Sequence, residues 1–234
     1  MLTLYSWPTP NGHKAHIMLE ECGLRLGRDW QVEPIDIGAG EQFAPEFLRI
    51  SPNNKIPALV DPDGPDGRPI TLFESGAILL YLAAKTGRFL PKGDRQKFKV
   101  LEWLMFQMGG VGPMLGQAHH FRLYAPERID YAINRYTNEA NRLYGVMDRQ
   151  LAKRHYIAGA SYSIADIAIF PWLRGWQNQG IDWADYPSLK RWYDRIEVRP
   201  AVQRGIAVLA ASRKPLIDDK ARDILFGQRQ YQKR

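Results

Sequence analysis

Two short strings, Ile56-Pro57 and Glu74-Ser75, hold the residue types and spacing most suggestive of chemistry. A proline ahead of the apolar run Ala58-Leu59-Val60 cannot donate to a sheet ladder, and an Ile-Pro bond at such a turn is a candidate cis peptide. A cis bond there would turn the peptide groups of Lys55 and Ile56 outward, where an extended peptide could pair with them strand to strand. Further along, Ser75 stands where an apolar helix begins. As N-cap it would leave the first helical N–H groups facing outward, a seat for a carboxylate, with Glu74 beside it. Together the two strings suit a small anionic peptide.

Other reactive residue types have structural explanations. Trp7-Pro8-Thr9-Pro10-Asn11-Gly12 is a turn-rich loop, and turn chemistry alone accounts for each residue in it. Cys22 is the single cysteine. That excludes an internal disulfide, a Cys-x-x-Cys redox centre and a zinc finger, and it suits a reducing cytosol. On the inner face of a helix, a lone thiol is usually a small buried hydrophobe, whereas catalytic use needs an exposed, electropositive setting. His13 and His16 could share a helix face, but no third ligand follows at a recognisable spacing, and His119 and His120 would diverge on a helix. No metal site is expected. The stretch Gly109–Gly116 lacks the closing Gly-Lys-Ser/Thr of a phosphate loop and reads as a bent or tightly packed helical segment.

The composition is that of an ordinary globular protein, with 45% hydrophobic and 24% charged residues in 234. No apolar run approaches the roughly 20 residues that cross a bilayer, and the N-terminus lacks a signal-peptide pattern. A cytoplasmic protein without membrane contact is expected. The net charge of +7 is largely local. From Ser212 onward, Arg213, Lys214, Lys220, Arg222, Arg229, Lys233 and Arg234 stand against Asp218, Asp219 and Asp223. Such a tail is more often a solvated or docking extension than a nucleic-acid arm. The remaining small basic excess suits an acidic small-molecule substrate.

The elements that must position these residues are legible from periodicity. Leu2–Tyr5 and Trp30–Ile37 read as strands, the second held to a sheet edge by Pro34. Between them a helix is expected from about His13, because Ala15, Met18, Leu19 and Cys22 share one face. A short helix from 44 to 49 carries Pro45 in its first turn. Pro57–Val60 and Pro69–Phe73 form a hairpin, followed by a helix at Ser75 with Ile78, Leu79 and Leu82 on its apolar face. Beyond a linker near 86–94 strand patterns vanish. Helical stretches are expected at 95–121, 127–153, 164–177, 189–198 and 201–209, with Ser163 and Asp166 forming a capping box. The fold class is therefore α/β plus all-α, a small sheet domain followed by an all-helical one. The boundaries are 1–86, a linker 87–93, 94–211, and a basic extension 212–234.

This arrangement resembles the cytosolic glutathione transferases, whose N-terminal domain is thioredoxin-like βαβαββα. The resemblance narrows to the nu-class bacterial enzymes, related to the yeast nitrogen-regulatory prion protein. It does so through Pro8-Thr-Pro-Asn-Gly-His-Lys14, Ile50-Ser-Pro-Asn-Asn-Lys-Ile-Pro57, Phe73-Glu-Ser-Gly-Ala-Ile-Leu-Leu-Tyr-Leu82 and Gly109-Gly-Val-Gly-Pro-Met-Leu-Gly-Gln117 with His119-His120-Phe121. It covers nearly all of residues 1 to 210. It implies a homodimer that uses glutathione, reduced or oxidised, as substrate for disulfide reduction with no protein cysteine, in a cleft between the domains.

The resemblance also implies residue roles. Thr9 and Asn11 would hold the glutathione sulfur, where a hydroxyl, an amide and a helix N-terminus favour thiolate. Tyr5 and Ser6 compete for that role, with Tyr5 ranked as core. Ile56, beside the structural Pro57, would pair with the cysteinyl unit. Glu74 would accept from the γ-glutamyl ammonium and Ser75 would take its carboxylate. Gln42 and Lys55, otherwise solvated polar residues, would reach the glycyl end. Gln107 and the partner subunit's Arg135 would contribute from the helical domain. Glutathione conjugation or peroxide reduction is one alternative, and a non-catalytic regulatory or scaffold protein is another.

Overall fold

The computed structural model describes residues 1–212 and 219–232. Of the basic tail, Arg213, Lys214, Asp218, Lys233 and Arg234 lie outside the described residues. The chain forms two compact units, one of Met1–Tyr81 with the described residues from Arg204 onward, the other Leu82–Gln203.

The first unit opens with β1 (Leu2–Ser6), α1 (Pro10–Glu21), β2 (Trp30–Pro34) and α2 (Pro45–Ile50). It continues through β3 (Ala58–Asp61), β4 (Ile70–Phe73) and the start of α3 (Ser75–Thr86), which gives the expected βαβαββα order. The sheet runs β2-β1-β3-β4, with β1 parallel to β2 and antiparallel to β3, and β3 antiparallel to β4. Pro34 sits at the end of the edge strand β2, as a residue without a donor must. That strand stops three residues short of Ile37 because Asp36 turns the chain, its Oδ1 accepting from the Gly38 and Ala39 N–H groups.

Helix α1 begins at Pro10, three residues earlier than its apolar spacing suggested. Proline fits the first helical position, where its missing donor has no intrahelical partner to lose. Ten of its twelve residues are buried. The described C-terminal residues close against this unit. Gly205 brings α9 (Pro200–Ala207) so near α1 that a Cβ there would lie 2.7 Å from the Ile17 Cα, and Arg204 pairs with Glu20 at 2.7 Å. A further helix, α10 (Asp219–Phe226), was not expected from sequence; it buries Ala221 and Ile224.

The second unit is helical, with α4 (Asp94–Phe106), α5 (Gly112–His119), α6 (Asp130–Leu151), α7 (Ile164–Leu173) and α8 (Pro187–Glu197). The glycine-rich stretch is a π-helical turn, Gln107–Val111, running into α5. It packs tightly: a Cβ on Gly112 would approach the Gln107 Nε2 to 2.8 Å. The capping box forms as its spacing required, Ser163 and Asp166 exchanging side-chain and backbone bonds at the start of α7. Asp166 is fully buried and also accepts from the Trp192 Nε1 and the Ile157 N–H, both at 2.8 Å.

Candidate functional site

Strand register gathers the candidate residues of the first unit. Tyr5 pairs with Ala58, and Ala58 with Phe73. The loop leaving β1, the turn entering β3 and the segment leaving β4 therefore emerge at one end of the sheet. Adjacent strands lie about 4.8 Å apart, so the three segments stand within about 10 Å across the sheet. Thr9 and Asn11 lie on the first, Ile56 and Pro57 on the second, Glu74 and Ser75 on the third.

Thr9 is the N-cap of α1, its Oγ1 accepting from the Gly12 N–H at 3.3 Å. Asn11 is the second helical residue, and both are half-buried. The first turn of α1 needs glycine at position 12, where a Cβ would strike the Trp7 carbonyl oxygen and come within 2.7 Å of the Ser6 Oγ. Of the competing residues, Ser6 is fully buried and its hydroxyl has no hydrogen-bond partner among the described residues. Tyr5 is half-buried, its ring 6.3 Å from that of Phe47. Cys22 follows the C-terminus of α1 and is half-buried rather than fully buried within a helix face.

The Ile56–Pro57 peptide bond is cis. Lys55 departs from expectation, because its carbonyl already accepts from the buried Ser51 Oγ at 2.9 Å. Outside the strand ladder, no hydrogen bond among the described residues involves the peptide groups of Ile56. The Lys55 side chain is exposed and its Nζ donates to the Gln230 Oε1 at 3.4 Å. Gln42 is not a solvated residue. It is 2% exposed, its Nε2 donates to the Ile37 carbonyl at 3.1 Å, and its Oε1 has no partner among the described residues.

Ser75 is the first residue of α3 rather than its cap. The cap position belongs to Glu74, whose carbonyl accepts from the Ile78 N–H at 3.0 Å and whose φ of 71° is left-handed. The shift leaves Ser75 buried and the Glu74 side chain exposed. Behind Ser75 lies a residue that sequence reasoning gave no role. Lys14, 1% exposed, donates from Nζ to the Ser75 Oγ at 3.2 Å. Burial drives its pKa from 10.5 down to about 7, against the nearby Glu74 carboxylate, which raises it. The available signal was its place on the apolar stripe, three and four residues before the fully buried Ile17 and Met18.

Between about pH 7 and 10.5 the unfolded chain keeps a proton that folded Lys14 has lost, so Lys14 makes stability rise with pH across that window. The expected slope is about 1.4 kcal/mol per pH unit within it. Urea midpoints of wild type and Lys14→Met, compared from pH 6 to 10, should converge as pH rises. Parallel curves would refute the shifted lysine.

The histidines pack rather than gather. The rings of His13 and His16 meet edge to face at 5.6 Å, His16 stacks on Trp30, and burial drives the His16 pKa down to about 3. His119 bonds the Gly175 carbonyl at 3.2 Å and stacks on Trp172. In the helical unit Gln107 is fully buried in the π-helical turn, contrary to a solvated reading, and Arg135 is exposed on α6.

Known proteins resemble this chain along most of its length. The glutathione S-transferase N-terminal domain model matches residues 1–84 and the C-terminal domain model matches 113–200. The chain is 54% identical to disulfide-bond oxidoreductase YfcG of Escherichia coli over 212 residues, 90% of this chain and 96% of that one. It is 46% identical to disulfide-bond oxidoreductase YghU of the same organism, covering 87% of this chain and 73% of that one. A Pseudomonas putida glutathione transferase solved with one glutathione disulfide per subunit superposes with a TM-score of 0.83 at 45% identity, over 88% of this chain and 91% of that one. With both domain models matched in order and such relatives aligned along most of their length, the chain belongs to the glutathione transferase family.

Proposed function

We propose that this enzyme is a glutathione-dependent disulfide-bond reductase of the nu class, cytoplasmic and homodimeric, that works with the thiols of bound glutathione. The observation that carries the reading is the register Tyr5–Ala58–Phe73, which brings the capped start of α1, the cis Ile56–Pro57 turn and the Glu74-Ser75 segment to one sheet end. Both Escherichia coli relatives are disulfide-bond oxidoreductases, which favours this reading over conjugation, peroxide reduction or a scaffold role. Residues 1–86 would form the glutathione-binding domain, 87–93 the linker, 94–211 the helical domain and 212–234 an extension.

Glu74 accepts from the γ-glutamyl ammonium and Ser75 donates to the adjacent carboxylate, while Ile56 pairs with the cysteinyl unit. Gln42 and Lys55 serve the glycyl end, Gln42 by shaping the loop at Ile37. Gln107 and the partner subunit's Arg135 complete the site. The Thr9 Oγ1 takes the Gly12 N–H, so its own O–H can donate to a thiolate, with Asn11 and the start of α1 adding further positive potential. The thiolate attacks one sulfur of a substrate disulfide and expels the other as thiolate. A second glutathione thiolate then attacks the glutathione sulfur of the mixed disulfide, giving glutathione disulfide and the second substrate thiolate. Two electrons pass from two glutathiones to one disulfide.

Isothermal titration with oxidised and reduced glutathione tests the seat. Wild type should bind the oxidised form, and Glu74→Ala should weaken it by at least about 10-fold, since a hydrogen bond to a charged group contributes roughly 1.5–3 kcal/mol. Binding of the reduced form alone would favour conjugation or peroxide chemistry, and binding of neither would remove the enzymatic reading.

A further inference from the structure

The mechanism above gives no part to α10 or to the turn Gln228–Tyr231 that follows it, yet both return to the residues assigned to the glycyl end. They pack on the loop that carries Gln42. A Cβ on Gly38 would stand 3.6 Å from the Ala221 Cβ, and one on Gly40 would stand 3.6 Å from the Arg229 guanidinium nitrogens. Beside this loop the Lys55 Nζ donates to the Gln230 Oε1 at 3.4 Å, across a separation of 175 residues. The Gln230 amide is held from behind, because its Nε2 donates to the carbonyl of buried Ile224 at 2.8 Å. With its donor side engaged there, its acceptor oxygen faces the lysine. Lys55 forms no ion pair among the described residues. A lysine ammonium rides on a flexible four-carbon stem and carries three donors. A carboxylate at position 230 would hold it and cancel its charge, whereas an amide oxygen holds it and leaves the charge intact. One donor goes to Gln230 and two are left for an anion.

We propose that Gln230 is the positioning residue of the glycyl end. Reaching back from the C-terminal segment, it holds the Lys55 ammonium, still charged, where the glycyl carboxylate of glutathione meets it. The inference rests on the reading that gives Gln42 and Lys55 that end of the tripeptide. It adds that a residue beyond the matched C-terminal domain, 113–200, tunes the affinity for that carboxylate. It also makes the segment a determinant of specificity for a free glycyl carboxylate over a neutral, amidated one.

Two probes separate the roles: glutathione, and γ-glutamylcysteine methylamide, which keeps the same backbone without the glycyl carboxylate. Each is titrated calorimetrically into the full chain. Gln230→Leu should weaken glutathione binding by about 5-fold, the size of one modest hydrogen bond, and leave the methylamide within about 2-fold. Introduced together with Lys55→Met, the same substitution should change nothing further, because its effect passes through the lysine. A merely structural glutamine would weaken both probes alike, with or without the lysine. That pattern, or no loss for either probe, would overturn the proposal. Gln230→Leu also gives up the bond to Ile224, so Gln230→Glu serves as a second variant. Its carboxylate would pair with Lys55 and oppose the glycyl carboxylate, weakening glutathione by about 10-fold or more while sparing the methylamide. Unchanged glutathione affinity in Gln230→Glu would equally overturn the proposal. The reading beneath it is checked with Lys55→Met alone, which should weaken glutathione and spare the methylamide. Absence of that selectivity would remove Lys55 from the glycyl end, whereas its presence with indifferent Gln230 variants would remove only the role of the glutamine.

Discussion

Asp166→Ala should destabilise the helical unit by about 4 kcal/mol, the largest stability effect expected of any single substitution considered. The carboxylate is fully buried and accepts from the Ile157 N–H, the Trp192 indole, the Ser163 N–H and the Ser163 hydroxyl at 2.8–3.0 Å. Alanine would strand these donors where water cannot reach them, and each buried orphan costs about 1–3 kcal/mol before relaxation. It would also remove half of the capping box that starts α7. Equilibrium urea unfolding followed by tryptophan fluorescence reads the effect directly, since Trp192 is itself a ligand of the carboxylate. A loss below about 1 kcal/mol would mean that the network contributes little beyond an ordinary cap.

The largest effect on activity should come from Thr9→Ala combined with Asn11→Ala. Reduction of hydroxyethyl disulfide at saturating glutathione should fall about 100-fold, the sum expected for two hydrogen bonds to a developing thiolate of roughly 1.5 kcal/mol each. Part of any stability loss belongs to the cap, because the Thr9 Oγ1 also holds the Gly12 N–H. Thr9→Ser keeps both the hydroxyl and the cap and should recover most of the rate lost by Thr9→Ala. The thiolate role is read from the acid limb of the pH–rate profile, which Thr9→Ala should move to higher pH and a merely capping threonine would leave in place. An unchanged rate in the double variant would move sulfur activation elsewhere, with the buried hydroxyl of Ser6 next in line.

What the sequence made legible is what local rules determine. The four strands announce themselves through β-type runs and turn residues, the capping box through its spacing, and the edge position of β2 through Pro34. Misses arise where tertiary packing overrules a local habit. Pro10 looks like a loop residue but starts α1, because Thr9 before it satisfies a helical donor. Ser75 looks like a cap but is displaced into the helix by a left-handed Glu74. Lys14, Gln42 and Gln107 belong to residue types that normally seek water, and only the folded surroundings reveal their burial. Helix α10 carries just two buried residues, Ala221 and Ile224, too few for a periodic signal.

The position of Cys22 has a practical consequence. It stands just past the last residue of α1, a twelve-residue helix whose other end is capped by Thr9. At 1.5 Å per residue the thiol is about 18 Å from the proposed sulfur site. The chain thus carries one native attachment point for a maleimide dye, only half-buried and a full helix length from the proposed chemistry. Ligand-induced motion of α1 could be followed by fluorescence without engineering a handle and without blocking the site under observation.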